Sequence, residues 1–430
     1  MGNLGKALST VLVALFLSTL ATTPFAASGN TKTVWDVQSL NDQDAWAGGH
    51  CPIAVDSNNF THIAYMAFPD GTNSLIYTSY NGSGWINQTV DGSGYVFVVF
   101  SLLFDPNGNP HILYNTSPLG SPIDPLKIAS WNGRSWDLQS TGINYAIDAA
   151  LAVDSLGKFH ILYTTGIYLR YGATWEGSAL KYASSTGLDW DIQTIDSKMT
   201  DGFSSISFQL SPALASKNAP SVLYSSSSNS SDIKLATFQN SNWKIQPVQL
   251  SSSIGKFGNV VVDSKGYPHF LYTQSYQNST TFSTIYYASF NGTAWNTQTV
   301  TSKINLGWDN PIGKLVLDSQ DYPYFTYSTT DNGSMYASYS GSDWNIQSCP
   351  GGPCDLALDA NGNPHLSYRT YSPMRYTSNL VYAAANLTSL SPTPLPAQAS
   401  PTLVVVLGVV VMVVVIAGVL VYLKKRSVEG

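Results

Sequence analysis

The chain has 430 residues and a formal net charge of −6, and only 11% of its residues are charged. The sequence shows no basic patch, which argues against nucleic acid as a partner because phosphate binding needs clustered lysine and arginine. Serine, threonine and asparagine carry most of the polarity, and this composition fits a location outside the cell.

The first segment, residues 1–27, has the features of a secretory signal peptide. Lys6 precedes an apolar run over residues 7–20, and the small residues Ala26 and Ala27 follow near a plausible cleavage point. We predict that this segment directs export of the chain, with an uncleaved N-terminal anchor as the alternative.

Residues 35–388 carry seven copies of one short pattern. The full pattern is an apolar strand ending in Asp, then x-x-Gly-x-Pro-His, then a strand with Tyr, as in the stretch from Asp263 to Tyr272, and four of the seven copies match it more loosely. Successive copies are 49, 49, 61, 48, 55 and 41 residues apart, which is about the length of a four-stranded propeller blade. The sequence therefore predicts an all-β fold, a seven-bladed β-propeller. The copies stand at Asp56, Asp105, Asp154, Ala215, Asp263, Asp318 and Asp359.

A Trp-x-x-Gln motif is interleaved with this pattern, again seven times. In several copies an Asn-Gly turn precedes the tryptophan, which predicts a hairpin, so that each unit has four strands and the fourth starts at Trp. The last unit has no Trp strand, whereas the chain begins with an orphan one at Trp35. We predict that this N-terminal strand completes the seventh blade and closes the ring, which would remove exposed sheet edges; an open solenoid is the alternative.

The three cysteines lie near the two ends of the repeats. Cys51 and Cys354 each stand five residues before their repeat Asp, and Cys349 and Cys354 flank a Pro-Gly-Gly-Pro loop. An odd number in an exported chain leaves one thiol over. We predict a Cys349–Cys354 disulfide, with a bridge from Cys51 across the junction of the first and last blades as the alternative.

Nine sequons for N-glycosylation occur along the repeats and just beyond them, so the sequence permits a glycoprotein. They begin at Asn59, Asn81, Asn87, Asn115, Asn229, Asn278, Asn291, Asn332 and Asn386.

Three segments follow the repeats. Residues 389–402 carry alternating prolines and predict an extended stalk. Residues 403–423 are uncharged and apolar over a length that spans a bilayer, and they predict one transmembrane helix. Residues 424–430 begin with three basic residues and predict a cytoplasmic tail. The chain is thus predicted to be a single-pass cell-membrane protein with its N-terminal ectodomain outside.

The turns of the Ser-x-Asn-Gly-x-x-Trp form, at Asn81, Asn132 and Asn291, resemble the Asp-box turns of the sialidase-like propeller superfamily. They differ in carrying Asn where an Asp-box has Asp. The Asp-x-x-Gly-x-Pro-His-x-x-Tyr element resembles a repeat of prokaryotic secreted surface proteins. The resemblance covers residues 35–385 and implies a propeller fold, which hosts unrelated activities.

Five histidines belong to the repeat itself and occupy one position per blade. A metal site needs convergent ligands, whereas these side chains are spread around a ring, so we predict packing between blades and no metal or cofactor. They are His62, His111, His160, His269 and His365.

Aromatic and basic residues outside the repeat pattern form the predicted ligand site. Connections between blades and loops joining second to third strands open on one face of a propeller, and variable loops on a rigid scaffold commonly carry binding residues. Aromatic rings in a polar rim suit recognition of a sugar or peptide; the alternative is that they only cap the hub. The predicted ligand-binding residues are Trp46, Tyr95, Tyr145, Trp308, Arg170, Trp175, Arg369 and Arg375.

These features favour a non-catalytic binding or adhesion module for an extracellular glycan or a surface protein. A sialidase-like glycoside hydrolase is the first alternative, but the arginines for its substrate clamp, Arg170, Arg369 and Arg375, lie in loops of the third and seventh blades. A structural component of the cell envelope is the second.

Overall fold

A computed structural model places twenty-eight strands in seven four-stranded antiparallel sheets within the residues that it describes. Those residues are 33–40, 50–68, 72–117, 125–168, 175–187, 189–197, 213–215, 219–225, 233–250, 255, 257–275, 282–306, 312–351, 355–372 and 377–385. The predicted seven-bladed β-propeller is confirmed.

The strands follow one another as successive blades, four strands to a blade. Blade 1 has β2 (Ile53–Val55), β3 (Thr61–Ala67), β4 (Asn73–Tyr80) and β5 (Trp85–Gly94); blade 2 has β6 (Val96–Phe104), β7 (Pro110–Thr116), β8 (Lys127–Trp131) and β9 (Trp136–Ser140); blade 3 has β10 (Ala146–Val153), β11 (Phe159–Tyr168), β12 (Trp175–Ser185) and β13 (Trp190–Asp196).

Blade 4 has β14 (Ala213–Ala215), β15 (Ala219–Ser225), β16 (Ile233–Gln239) and β17 (Asn242–Pro247); blade 5 has β18 (Phe257–Val262), β19 (Pro268–Ser275), β20 (Ser283–Phe290) and β21 (Trp295–Ile304). Blade 6 has β22 (Ile312–Leu317), β23 (Pro323–Thr329), β24 (Gly333–Tyr339) and β25 (Trp344–Ser348); blade 7 has β26 (Asp355–Leu358), β27 (Pro364–Ser372), β28 (Thr377–Ala385) and β1 (Trp35–Ser39).

The core lies between blades. The structure describes seven clusters of buried side chains, and each one joins two neighbouring blades. The repeat tryptophans pack against these clusters from the outer strands, as Trp136 does against the cluster of blades 1 and 2. Each blade therefore buries its apolar faces on its neighbours, which explains why its second strand is buried along nearly its whole length.

The Asp-x-x-Gly turn is built as its sequence predicts. In blade 5, Oδ1 of Asp263 accepts hydrogen bonds from the backbone N–H groups of Lys265 at 3.0 Å and Tyr267 at 2.7 Å. Gly266 has φ of 83°, a left-handed conformation that glycine adopts without a Cβ clash. The Asp and Gly of the repeat are thus required by the turn between the first and second strands.

The repeat histidine connects this turn to the next blade. In blade 3, Nε2 of His160 lies 3.4 Å from Oδ2 of Asp154, and Nδ1 lies 2.6 Å from the hydroxyl of Tyr182. The ring of Tyr182 in turn packs edge-on against Trp243 of blade 4, with ring centroids 5.2 Å apart. This Asp–His–Tyr relay explains the recurrence of three sequence motifs without a ligand, as predicted for the histidines.

The relay occurs in five of the seven blades, with Ser130 in place of the tyrosine in blade 2, whereas in blade 6 Tyr324 replaces the histidine and its hydroxyl donates to Oδ2 of Asp318 at 3.0 Å. The other copies are Asp56–His62–Tyr77, Asp263–His269–Tyr287 and Asp359–His365–Tyr382. Among the described residues, no group of three or more His, Cys, Asp or Glu side chains is placed to hold a metal ion.

The N-terminal strand β1 is the outermost strand of blade 7. It pairs antiparallel with β28, with Trp35 opposite Ala385. Oε1 of its Gln38 accepts a hydrogen bond of 3.0 Å from Nε1 of Trp85 in blade 1. The equivalent bond between blades 1 and 2, from Trp136 to Gln88, is 2.9 Å long. Gln38 therefore makes the same contact between blades that a glutamine of an uninterrupted blade makes.

The structure describes two of the three cysteines and none of the predicted membrane segments. Cys51 and Cys349 are free thiols, and Cys354 lies outside the described residues. The Cys349–Cys354 disulfide has no support here and stays a prediction. Within the described part of the chain, no helix is long and apolar enough to cross a membrane. The predicted signal peptide (1–27), stalk (389–402), transmembrane helix (403–423) and tail (424–430) lie outside that part.

Candidate functional site at the loop face

The antiparallel order of the strands gives the propeller two different faces. The Asp-x-x-Gly turns and the hairpins before each Trp strand lie on one face, which we call the turn face. The connections between blades and the loops joining second to third strands lie on the other, which we call the loop face. Because its segments are longer and more varied, the loop face is the better candidate for ligand binding.

The exposed aromatic side chains of the described residues are all on the loop face. Tyr95 and Phe97 stand at the start of the first strand of blade 2, and Tyr145 directly precedes that of blade 3. Phe68 and Phe282 stand in loops between second and third strands of blades 1 and 5. Between 37% and 49% of each of these five side chains is exposed, whereas the described aromatics elsewhere are more buried. This asymmetry is what a ligand-binding face requires and blade packing does not explain.

Three predicted site residues can be placed with their side chains. Tyr95 and Tyr145 lie on the loop face of adjacent blades, and Arg369 lies on the same face in blade 7. Trp175 is the first residue of β12, but its side chain is outside the described residues. Four other predicted residues lie wholly outside them: Trp46, Trp308, Arg170 and Arg375.

Asp148 is a loop-face residue that the sequence reasoning missed. It lies in β10, three residues beyond Tyr145, next to an irregularity in the pairing with β11. Burial raises the pKa of its carboxyl to about 7, although its hydrogen bond from the N–H of Ala149 opposes the shift. The sequence feature that could have identified Asp148 is that it is the single acidic residue in an otherwise apolar first strand. Such a carboxyl exchanges protons near neutral pH.

Polar side chains that stand four residues before the repeat Asp link the first strands of neighbouring blades by hydrogen bonds. Each one bonds the backbone of the next first strand: Ser101 Oγ accepts from Leu151 N–H at 3.1 Å, and Asp355 Oδ2 accepts from Ile53 N–H at 3.3 Å. Asn259 makes a double contact with Leu315 of blade 6. The Asp355 bond joins blade 7 to blade 1, so the last and first blades meet as the other neighbours do.

Lys314 and Asp355 form an ion pair at the loop-face ends of β22 and β26, with Nζ 2.9 Å from Oδ1. The pKa of His50, just before β2, is influenced by both of these charges and also by the charge of Arg369. Although His50 is exposed to solvent, desolvation by the surrounding protein lowers the pKa of its imidazole, Asp355 opposes this, and the two cations add to it. Side chains of blades 6, 7 and 1 therefore form one electrostatic cluster at this face.

Comparison with known protein families finds none that matches this chain, and no curated protein matches it in sequence. Among solved structures it is similar to an ulvan lyase of polysaccharide lyase family 25, with 11% identity, 78% of this chain and 93% of that chain covered, and a TM-score of 0.50. It is also similar to the GH93 α-L-arabinofuranosidase of Fusarium graminearum, with 10% identity, coverage of 79% and 93%, and a TM-score of 0.46. The similarity extends to the Aleuria aurantia lectin, with 10% identity, coverage of 70% and 94%, and a TM-score of 0.44. At these identities the comparison supports the β-propeller fold alone.

Proposed function

We propose that this protein is a membrane-anchored extracellular propeller that binds glycans at its loop face without catalysis. The observation that carries this proposal is that all five exposed aromatic side chains of the described residues lie on that face. Aromatic rings offer flat apolar surfaces to the C–H faces of sugars, and polar neighbours fix the orientation of the hydroxyl groups. The ulvan lyase of similar fold is a polysaccharide lyase, so a polysaccharide ligand has a precedent on this scaffold.

A glycan array with the full-length protein in detergent tests this proposal. We expect binding that the double substitution Tyr95→Ala and Tyr145→Ala weakens about tenfold or more, because truncating a central aromatic contact commonly costs about 2 kcal/mol. The matched control is Leu156→Ala, since Leu156 is 88% exposed but lies on the turn face. Unchanged binding by the double variant would refute the proposed site. Turnover of a bound glycan would instead favour the glycoside hydrolase alternative, and ordered self-assembly without any ligand would favour the envelope component.

The proposed location rests on the sequence of the two chain ends. We expect the full-length chain to remain with membranes after washing at high pH, and a variant without residues 403–430 to be released into the medium, because that segment is the only predicted stop-transfer helix. Protease added to intact cells should digest the propeller in the full-length case. Protection of the propeller from protease would show the opposite orientation.

We also propose that the pairing of β1 with β28 closes the ring in the exported protein. The register of that pair and the bond from Trp85 to Gln38 support this proposal. A closed ring would leave blade 7 with four strands like its neighbours and would hold the loop face rigid.

A further inference from the structure

A cation that forms no ion pair with any described residue lies in the loop-face cluster of blades 6, 7 and 1. On β27, the hydroxyl of Ser367 donates to the carbonyl oxygen of Cys51 in blade 1. Alternate residues of a strand share a face, so Arg369, two residues farther along, points to the same side. Arg369 is indeed close enough to influence the pKa of both His50 and Cys51. The guanidinium therefore lies beside the start of blade 1, at the end of the hub.

The acidic group nearest to this cluster is already engaged. Asp355 binds Lys314 Nζ through Oδ1 at 2.9 Å and accepts the N–H of Ile53 through Oδ2 at 3.3 Å. Among the described residues, Arg369 has no carboxylate within ion-pair distance, although the chain as a whole carries a net charge of −6. Within the described part of the chain, Arg369 is thus a cation without an ion pair, beside a carboxylate that is already neutralised.

The surroundings of Arg369 favour an anion from outside. Its side chain is accessible to solvent, yet partial enclosure by protein lowers the pKa of the guanidinium. A cation that has lost part of its hydration and gained no partner is costly, and a bound anion offsets that cost. A guanidinium presents a planar fork of donors that fits a carboxylate or a sulfate with two parallel hydrogen bonds. Lys314, although paired with Asp355, adds an ammonium donor at the same place, and His50 adds a polar ring.

We propose that Arg369, with Lys314 and His50 beside it, forms a subsite for the carboxylate or sulfate group of an acidic glycan. This inference rests on the proposed glycan-binding function and names the class of glycan. The exposed rings of the loop face contact the apolar surfaces of the sugar chain, and the Arg369 subsite selects its charge. Arg134 provides a contrast, because it is equally exposed but lies in a hairpin turn on the turn face.

The test uses the full-length protein and matched pairs of oligosaccharides. One set pairs uronic-acid glycans with their carboxyl-reduced forms, and a second set pairs sulfated glycans with their desulfated forms. We expect the charged member of at least one set to bind about tenfold more tightly, and this preference to weaken as salt is raised. Arg369→Gln should abolish the preference by weakening the charged member about tenfold more than the neutral member, and Arg134→Gln should leave both unchanged. Thermal unfolding of each variant checks that it is folded.

The outcomes separate the two proposals. Equal binding of charged and neutral members, or a preference that survives in Arg369→Gln, overturns the acidic subsite and leaves the glycan-binding face standing. Absence of binding to any member overturns both. The set that shows the preference identifies the anionic group as a carboxylate or a sulfate.

Discussion

Deletion of residues 33–40 is expected to lower the free energy of unfolding by at least about 4 kcal/mol, because loss of a single packed Trp side chain alone costs about 3–5 kcal/mol. This segment supplies Trp35, which packs on the core of blades 6 and 7 and meets Tyr336 edge-on at 5.5 Å. It also supplies Gln38, the acceptor for Trp85. Removing it would leave β28 as an unpaired edge beside blade 1. Urea titration of the purified protein measures the change.

The matched control moves the same strand from the start of the chain to a position directly after Ala385. Because Trp35 lies opposite Ala385, as Trp136 lies opposite Trp131 in blade 2, a copy of the turn 132–135 can join Ala385 directly to the transplanted strand. This rearranged chain should recover most of the lost stability. If the deletion variant is as stable as the intact chain, the strand does not close the ring.

Acidification from pH 7.5 to pH 5 is expected to destabilise the protein strongly. The five relay histidines all have pKa values below their ordinary 6.5, chiefly because they are buried. Below pH 6.5 the unfolded chain therefore binds protons that the folded chain does not, and the free energy of unfolding falls. Each histidine contributes up to about 1.4 kcal/mol per pH unit until its folded pKa is reached. Urea titrations at several pH values measure the slope.

Carboxyl groups modify this dependence in both directions. Asp148 opposes it, because its raised pKa makes the folded state take up a proton between about pH 7 and 4. The pKa values of Asp105, Asp154 and Asp359 are lowered, despite burial, by hydrogen bonds from their turns, so their stabilisation is lost only below about pH 4. The Asp148 effect overlaps the histidine range, whereas the turn carboxyls act below it.

Two variants test the assignment of the acid sensitivity. His160→Asn should reduce the slope between pH 6.5 and 5 by about one proton, since its amide oxygen still accepts from Tyr182 but does not titrate. Asp148→Asn should make the loss on acidification steeper by removing the opposing group. Constant or rising stability between pH 7.5 and 5 would contradict the relay as described.

Much of the fold was predictable from the repeats. The Asp-x-x-Gly turn, the Pro-His start of the second strand and the Trp start of the fourth recur because every blade has the same local backbone and the same neighbours. The count of seven blades and the turn at Asp263 follow from that recurrence. The histidine partners did not follow, because Tyr182 and Trp243 reach His160 from another strand and another blade.

The candidate site was predictable only in part. Tyr95, Tyr145 and Arg369 fell on the loop face as expected, since their positions relative to the repeat decide which face they occupy. Phe97 and Asp148 were missed, because both stand inside strands, where the sequence pattern indicates only core.

The sequence by itself determined the all-β class, the blade boundaries and the strand order, since local turn chemistry and alternation repeat with each unit. Only the tertiary structure decided which charged side chains of the described residues form ion pairs with one another. Lys314, Asp355 and Arg369 come from blades 6 and 7, and His50 belongs to blade 1 at the far end of the chain. Electrostatic interaction depends on distance in space rather than along the chain. The pairing of Asp355 with Lys314 therefore arises where blade 6 meets blade 7, and its bond to Ile53, like the proximity of Arg369 to His50, arises where the last blade meets the first.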